Sequence, residues 1–263
     1  MIQIKTDAEI AKMRAAGLVV GRALALLTQA VAPGISTGEL DAMAESYIRS
    51  EGAVPSFKGY HDYPATICAS VNHQIVHGIP SMREILREGD IVSIDCGAIL
   101  DGWHGDSAVT LAVGDIDPAL QRLIDVTEES MWRGLAAARV GGRVSDISHA
   151  IEEYARPFGY GIVEEYTGHG IGTEMHQEPA VPNFGKPGRG PEIVRGLALA
   201  VEPMLNLGKR HTRMLEDGWT VVTKDGLPSA HFEHSFTLTD DGPLVLTALD
   251  GGKSKLAALA TVG

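Results

Sequence analysis

The sequence predicts an α+β fold in which two similar halves form one domain, and two observations support this. The order of helix, glycine break and helix occurs twice, at a constant offset of 107 residues. Runs rich in β-branched residues follow each helix pair. Two such halves predict a pseudo-symmetric unit with a site where they meet. Six residue pairs match at this offset: Gly34 and Gly141, Leu40 and Ile147, Glu45 and Glu152, Tyr47 and Tyr154, Arg49 and Arg156, and Gly52 and Gly159.

The first helix pair is predicted from apolar spacing and capping residues. From about residue 7 to residue 31, apolar positions alternate spacings of three and four, which is typical of one buried stripe on an amphipathic helix. A Pro-Gly pair ends this helix. Ser36 then has the character of an N-cap, with Glu39 as its capping-box partner. A second helix is therefore expected from Ser36 to about Gly52.

The second helix pair follows the same plan. Helices are predicted over about residues 117–139 and 145–156, separated by two glycines. Residues 179–191 are dense in Pro and Gly and predict a loop. Residues 251–263 show no pattern, so we expect a frayed C-terminal tail after a single domain at residues 1–250.

Strands are predicted where apolar, β-branched residues form short runs. Residues 91–95 and 108–113 are candidate partners in a hairpin whose turn lies at residues 100–102. Two further runs, residues 197–201 and 232–239, lie in the second half. The strands therefore follow the helices in each half, as the repeat requires.

The composition narrows the class of protein. Hydrophobic residues make up 44% and charged residues 21% of the 263 positions, which is typical of a globular protein with a large core. The net charge of −12 argues against a nucleic-acid partner. Cys68 and Cys96 are too few for a disulfide scaffold and predict reduced thiols in a cytoplasmic protein. We expect neither a signal peptide nor a membrane span, and an intact N-terminus.

Four carboxylates lie where strands should be apolar: Asp95, Asp106, Glu202 and Glu233. A two-residue turn at residues 101–102 pairs residue 95 with 108, and a turn one position earlier pairs 95 with 106. Either turn directs the first two acids to one face, whereas a three-residue loop does not. Acids buried together repel one another and are costly unless paired or metal-bound. The four acids predict a site for two divalent cations; the alternative is that each is solvated or paired with an arginine.

Histidines add a second kind of metal ligand. His169 lies among glycines, which allow tight turns and let the imidazole project into a site. Imidazole with carboxylates suits Mn, Fe, Co or Zn better than Ca or Mg; the alternative is a turn histidine that bonds only to backbone. His77 and His176 lie at the edges of Pro-bounded loops. The other histidines are predicted to be satisfied surface or core residues, except His61, a candidate pocket residue.

Taken together, the motifs resemble those of type I methionine aminopeptidases. They are Val-His-Gly-Ile-Pro at 76–80, Asp95 with His-Gly-Asp at 104–106, Gly-His-Gly-Ile-Gly at 168–172, His-Gln-Glu-Pro at 176–179, Val-Glu-Pro-Met at 201–204 and Glu-His at 233–234. The resemblance covers the chain from the first helix to about Leu249. It implies the pita-bread fold, in which two pseudo-symmetric αβ halves surround a curved, mainly antiparallel sheet, and this agrees with the internal repeat.

The resemblance also implies a metal centre. Two divalent ions (Co, Mn, Fe or Zn) would be bridged by Asp106 and Glu233. Asp95 would bind one ion, and His169 and Glu202 would bind the other. Glu202 would also take a proton from the water that attacks the peptide carbonyl.

Further roles that the resemblance implies concern the substrate. His176 would stabilise the developing oxyanion, and His77 would contact the scissile amide nitrogen and help the amine to leave. Relatives commonly have an aromatic residue at Met175 and often a cysteine at Phe57, so the size of this pocket differs from theirs. The residues expected to line the pocket or flank the substrate are Phe57, Tyr60, Tyr63, Cys68, His77, Met175, His176 and Trp219.

The expected substrate is the N-terminal methionine of nascent polypeptides, with the ribosome as a candidate partner, no DNA or membrane partner, and a monomeric state. One alternative is an X-Pro aminopeptidase or prolidase of the same fold. Such enzymes usually carry a large N-terminal domain, for which we expect no room before Asp7. Another is a pita-bread binding protein without catalysis; such relatives typically lose metal ligands, and all five are present here.

Overall fold

The structure, a computed structural model, describes residues 2–261. Within this range two single-turn 3₁₀ helices occur, at Tyr60–Asp62 and Arg156–Phe158. None of the helices there combines the length and apolar character that crossing a bilayer requires. The five α-helices of the described range are α1 (Asp7–Ala30), α2 (Thr37–Ser50), α3 (Pro118–Ala137), α4 (Val144–Ala155) and α5 (Lys253–Ala260).

Short strands make up most of the remaining regular structure. Residues 2–261 contain β1 (Val54–Pro55), β2 (Ile67–Val71), β3 (Gln74–Val76), β4 (Ile91–Leu100), β5 (Trp103–Ala112), β6 (Gly161–Ile162), β7 (Gly168–Gly170), β8 (Gln177–Val181), β9 (Ala198–Val201), β10 (Met204–Asn206), β11 (Thr212–Met214), β12 (Val221–Thr223), β13 (Ser229–His231), β14 (Glu233–Thr239) and β15 (Gly242–Val245). The four helices of the two predicted helix pairs are confirmed, with ends within two residues of those expected.

Nine strands form one curved antiparallel sheet in the order β1–β4–β5–β14–β9–β7–β8. Strand β2 also pairs with β4, and β15 also pairs with β14. Strands β5 and β14 therefore join the two halves at the centre of the sheet. Two three-stranded sheets, β13–β10–β6 and β11–β12–β3, complete the described topology.

The β4–β5 hairpin has the first of the two turns allowed by the sequence. Asp101 and Gly102 form its two-residue loop with φ of 50° and 79°, and a tight hairpin turn of this type needs both residues in the left-handed region. Asp95 consequently pairs with Ala108, and Gly97 pairs with Asp106. Since side chains alternate along a strand, residues 95 and 106 lie on the same face of the sheet.

The helices cover one face of the sheet and leave the other face for the site. Ile94 and Cys96 of β4 are fully buried among residues of the first two helices, such as Val20 of α1 and Leu40 of α2. Asp95, between them, points away from this layer because of the strand alternation. In the second half a separate core combines residues of α3, α4 and the sheet, including Leu135, Ile147, Ile151, Leu199 and Phe236.

The backbone supports the predicted internal repeat. The glycine that separates the helices has a left-handed φ in both halves, 98° in the first and 82° in the second. An isolated bridge joins Ser36 to Ile85 at the start of α2, and its counterpart joins Arg143 to Glu192 at the start of α4. Both partners of this second bridge lie at the same offset of 107 residues. The two helix pairs therefore repeat in structure as well as in sequence.

Two expectations for irregular segments are wrong. Residues 179–181 of the expected loop belong to β8, whose backbone pairs with β7. The expected frayed tail contains α5, where Leu256 and Leu259 pack against the core of the second half. Residues 262–263 of that tail, and residue 1 of the expected domain, lie outside the described residues. The C-terminal segment is therefore part of the packed structure at least as far as α5.

Candidate metal centre and active site

The first half contributes two acids from one hairpin. Asp95 on β4 and Asp106 on β5 face the same side of the sheet, and their carboxyl groups lie within hydrogen-bonding reach of each other. Asp106 is 4% exposed. Its position is fixed further by Ser235 Oγ, which accepts from the Asp106 backbone N–H at 3.2 Å and donates to the Asp106 carbonyl at 2.7 Å.

The second half contributes two acids from separate strands. Glu233, 2% exposed, begins β14 and pairs with Ala108, which itself pairs with Asp95. Glu202 follows β9 directly and precedes Pro203. Since β14 pairs with β5 on one side and with β9 on the other, Glu202 lies across Glu233 from the acids of the first half. Asp95 and Glu202 also occupy equivalent positions of the internal repeat, at the offset of 107 residues.

His169 lies in β7 between two glycines that allow close approach of neighbouring strands. A Cβ atom on Gly168 would lie 2.3 Å from the Ala200 carbonyl oxygen, and one on Gly170 would lie 2.2 Å from the Glu178 carbonyl oxygen. The Nδ1 atom of His169 donates to the Gly170 carbonyl at 2.9 Å, because a carbonyl can only accept. Its Nε2 atom therefore carries the free lone pair.

The free nitrogen of His169 points at the acids. Nε2 lies 3.5 Å from Glu202 Oε1 and 3.9 Å from Asp106 Oδ2. Burial lowers the pKa of His169 to about 3, so the ring is neutral at neutral pH. The contact is therefore one between a lone pair and carboxyl oxygens, which is unfavourable unless a proton or a metal cation lies between them.

Burial also raises the pKa of all four acids. The pKa of Asp95 rises to about 7 and that of Glu202 to about 8. The pKa values of Asp106 and Glu233 rise well above the ordinary range, first through burial and then through the neighbouring carboxylates. The pocket thus disfavours four negative charges on their own, and divalent cations would relieve this repulsion.

The arrangement of donor atoms fits divalent metal ions. Within residues 2–261, Asp95 Oδ1, Asp106 Oδ1 and Glu233 Oε1 are buried without a hydrogen-bond partner, which is rare for side-chain oxygens. Oxygen donors combined with imidazole nitrogen suit Mn, Fe, Co or Zn. Two groups of residues hold their ligand atoms within 4.8 Å of one another: Asp106, His169 and Glu233, and Glu202, His231 and Glu233.

A mainly apolar cavity of about 350 Å³ opens beside the acids. Its apolar wall is a small buried cluster in which the Tyr63 and Trp219 rings meet edge to face at 5.0 Å. All residues predicted for the metal centre and the pocket line this one cavity, so the structure brings the whole predicted set together. They are Phe57, Tyr60, Tyr63, Cys68, His77, Asp95, Asp106, His169, Met175, His176, Glu202, Trp219 and Glu233.

Two further histidines flank the acids. His176 Nδ1 lies 2.8 Å from the Tyr60 hydroxyl, and its ring meets the His169 ring at 4.3 Å. His77 has a left-handed φ of 60° and packs edge to face against Trp219. Burial lowers the pKa of both rings, to about 4 for His77. Each is therefore neutral near pH 7 and has one nitrogen that can donate and one that can accept.

Two histidines outside the five predicted metal ligands also lie at or near the site. His61 lines the cavity, as its candidate status allowed. His231 was expected to be satisfied, and this is wrong: it is 1% exposed, and its Nε2 has no hydrogen-bond partner within residues 2–261. One signal could have identified it, since His231 lies two positions before Glu233, and extended residues two apart share a face.

The two αβ halves around a curved sheet and the cluster of acids with imidazole define a metallopeptidase of the pita-bread type. Residues 11–240 match metallopeptidase family M24. A methionine aminopeptidase of Clostridium acetobutylicum is 51% identical over 247 residues, which are 94% of this chain and 99% of that protein. The chain belongs to metallopeptidase family M24, and the predicted resemblance to type I methionine aminopeptidases is confirmed.

Solved structures agree with this fold. The crystal structure of methionine aminopeptidase from Rickettsia prowazekii matches with a TM-score of 0.92 at 41% identity, covering 94% of this chain and 100% of that one. A prolidase from Pyrococcus furiosus matches with a TM-score of 0.75 at 23% identity, covering 93% of this chain and 65% of that one. The second likeness concerns the fold alone. The predicted pita-bread fold is confirmed.

Proposed function

We propose that the protein is a methionine aminopeptidase, which hydrolyses the first peptide bond of proteins and peptides that begin with methionine. The main support is that two buried acids, Asp106 and Glu233, two partly buried acids, Asp95 and Glu202, and His169 converge in one cavity that also has an apolar wall. The relatives from C. acetobutylicum and R. prowazekii, which carry this name, add to the proposal. The substrate would place its first side chain in the apolar part and its first peptide bond near the acids.

The metal centre is proposed to hold two divalent ions, Co, Mn, Fe or Zn. Asp106 and Glu233 would bridge them, Asp95 would complete one site, and His169 and Glu202 would complete the other. When bound, the ions would supply Lewis acidity that polarises the peptide carbonyl and activates a water.

The protein's own groups would handle the protons. Glu202, which lines the cavity, would accept a proton from the attacking water. When the Tyr60 hydroxyl donates to His176 Nδ1, the proton of that ring is on Nε2, which can donate to the developing oxyanion. His77, beside Trp219, would donate to the amide nitrogen as the amine leaves.

The apolar part of the cavity suits an unbranched thioether. Phe57, Tyr63 and Met175 are each less than a tenth exposed, and Cys68 adds a second sulfur to the wall. Contacts between sulfur and aromatic rings are favourable, by about 0.3–1.5 kcal/mol each. The Trp219 ring, edge-on to Tyr63, would give the methionine sulfur such a contact.

The remaining expectations stay part of this proposal. Residues 1–250 would form a single catalytic domain, against which α5 packs, and the protein would act as a monomer. Its substrates would be nascent chains in the cytoplasm, with the ribosome as a candidate partner. An X-Pro peptidase and a non-catalytic binding protein of the same fold are the outcomes that would replace it.

One comparison tests the proposal. Release of methionine from Met-Gly-type peptides and cleavage of X-Pro peptides are measured side by side, before chelation, after chelation and after adding back Mn(II) or Co(II). We expect methionine release that chelation abolishes and metal restores. Preferred cleavage of X-Pro peptides would favour a prolidase, no turnover with bound metal would favour a binding protein, and turnover by the metal-free protein would refute the metal mechanism.

A further inference from the structure

His231 occupies a position that the five predicted metal ligands do not explain. It ends β13, two residues before Glu233, and an extended chain directs residues two apart to the same side. Its ring is 1% exposed. A neutral, fully buried imidazole on the face of the metal centre has no part in the proposed reaction, so its presence needs a separate explanation.

The backbone of His231 is held in place by Thr110 of β5. The His231 N–H donates to Thr110 Oγ1 at 2.8 Å, and the Thr110 hydroxyl donates to the His231 carbonyl at 2.8 Å. Ser93 Oγ lies 2.8 Å from the same hydroxyl, so the three residues form a connected buried set. The backbone of His231 is thus anchored to the hairpin that carries Asp95 and Asp106.

The side chain, in contrast, ends in an unpartnered atom. His231 Nε2 is buried and has no hydrogen-bond partner among residues 2–261. It lies 3.6 Å from Glu202 Oε2, whereas N–H···O hydrogen bonds are normally about 2.7–3.2 Å long. Leaving such a nitrogen without a partner is costly, which makes Nε2 of His231 a candidate ligand atom.

The two oxygens of Glu202 face two imidazoles in the same way. Oε1 lies 3.5 Å from His169 Nε2, and Oε2 lies 3.6 Å from His231 Nε2. Ligands about 2.1 Å from one ion lie roughly 3.0–3.4 Å apart at octahedral or tetrahedral angles and about 4.2 Å apart across the ion. The observed spacings of 3.5 and 3.6 Å lie between these two values, close to the roughly 3.6 Å expected for an angle of about 120° at the ion. His231 therefore has the same relation to Glu202 as the predicted ligand His169.

We infer that His231 is a sixth protein ligand of the metal centre, whose Nε2 binds a divalent ion shared with Glu202 and Glu233. This rests on the proposed function, since it extends the same metal centre. The ligand atoms of these three residues lie within 4.8 Å of one another. The site then holds one imidazole from each side of Glu202, and a second nitrogen favours Co, Fe or Zn over the harder Mn.

Proton NMR of the Co(II)-loaded protein tests this inference. A histidine bound to Co(II) shows a strongly shifted ring N–H resonance that disappears in D₂O. We expect two such resonances in the wild-type protein, one in His231→Gln and one in His169→Gln. His104→Gln is the matched control, because His104 is also buried but bonds to Ser56 Oγ through Nδ1 at 3.0 Å. It should retain both resonances.

Metal affinity gives a second measurement. Even outer partners of metal ligands change affinity by about 10- to 100-fold, so His231→Gln should weaken Co(II) binding at least about 10-fold in equilibrium dialysis. His231→Asn serves if the glutamine variant does not fold.

The outcomes separate the two proposals. A single shifted resonance in wild-type protein, lost in His169→Gln, would overturn the role of His231 while leaving the metal centre intact. If the wild-type protein binds no Co(II), the proposed metal centre itself is wrong. An unchanged affinity in His231→Gln, together with two remaining resonances, would also overturn the inference.

Discussion

The two halves of the molecule position their site residues in different ways. In the first half, Asp95 and Asp106 lie on one hairpin, eleven positions apart in the chain, and a two-residue turn fixes their relation. In the second half, His169 and Glu233 lie in two strands and Glu202 directly follows a third, and these strands meet only through long-range pairing. The relative position of Asp95 and Asp106 is therefore a local feature, whereas that of the three residues of the second half depends on how closely whole strands pack.

This difference explains what the sequence could predict. The turn residues Asp101 and Gly102 favour a two-residue loop, which sets the register of the hairpin. The sequence could therefore predict that Asp95 and Asp106 share one face. Nothing local relates His169 to Glu202, and only the resemblance to a family linked them. For the same reason the partnership of His231 with Glu202 was missed, since those two meet through the pairing of β10 with β13.

The helices were predictable because caps and apolar spacing are local signals. The capping boxes at Thr6 and Ser36 are present as bonds in the structure. Helix α5 was missed because it is only eight residues long and has no side-chain cap; packing of Leu256 and Leu259 on the core stabilises it instead. Tertiary contacts of this kind leave little trace in the local sequence.

The largest effect should follow from removing one acid from each half. Asp106→Asn and Glu202→Gln each remove a proposed ligand, so kcat/KM for a Met-Gly peptide should fall by more than about 100-fold. The metal-free variants should melt no lower than metal-free wild type, because each loses one of four repelling carboxylates. The exposed Asp125→Asn serves as control. Near-normal turnover in either variant would show that the acid is not a ligand.

A matched pair of glycine substitutions compares the effect of disturbing strand packing in the second half with that of disturbing the hairpin turn in the first half. In Gly170→Ala the new Cβ would lie 2.2 Å from the Glu178 carbonyl, so the strand that holds His169 must move. We expect a loss of about 1–3 kcal/mol in unfolding free energy and at least about a 10-fold loss of activity. In Gly102→Ala no atom lies within 4 Å of the new Cβ, and only its φ of 79° is strained. That variant should lose about 1 kcal/mol and keep its activity.

Urea unfolding and peptide turnover of both variants check this. Equal losses of activity would contradict the contrast between the two halves. Full activity in Gly170→Ala would mean that the position of His169 does not depend on the close approach of β7 and β8.

The pH dependence of stability tests whether both halves contribute to the buried charge. In the folded, metal-free protein the pKa of Asp95 is about 7 and that of Glu202 about 8, above their ordinary values of 3.8 and 4.5. The folded state then binds more protons than the unfolded state. The stability that these two protonated acids contribute is complete below about pH 4 and is lost as the pH rises through 7 and 8. The melting temperature of the chelated protein should fall from pH 5 to pH 8.5.

The control for this prediction is a pair of amide variants, Asp95→Asn and Glu202→Gln. Each variant should make the fall of melting temperature with pH shallower. One of them tests the acid of the first half and the other tests the acid of the second half. Added Mn(II) should raise the melting temperature more at pH 8 than at pH 5, because the ion replaces protons. A melting temperature that rises with pH in the chelated protein would show that the acids are not buried together.

The smallest effect concerns a contact that crosses between the halves. The Tyr60 hydroxyl, from the first half, lies 2.8 Å from Nδ1 of His176 in the second half. Tyr60→Phe removes this bond and keeps the ring, so His176 is no longer fixed in the tautomer that donates from Nε2. A hydrogen bond of this kind contributes about 1 kcal/mol, which corresponds to a fall in kcat of roughly fivefold with KM little changed. Tyr47→Phe, on α2, is the control. If Tyr60→Phe instead raises KM and leaves kcat unchanged, then Tyr60 acts as a wall of the pocket and does not orient His176.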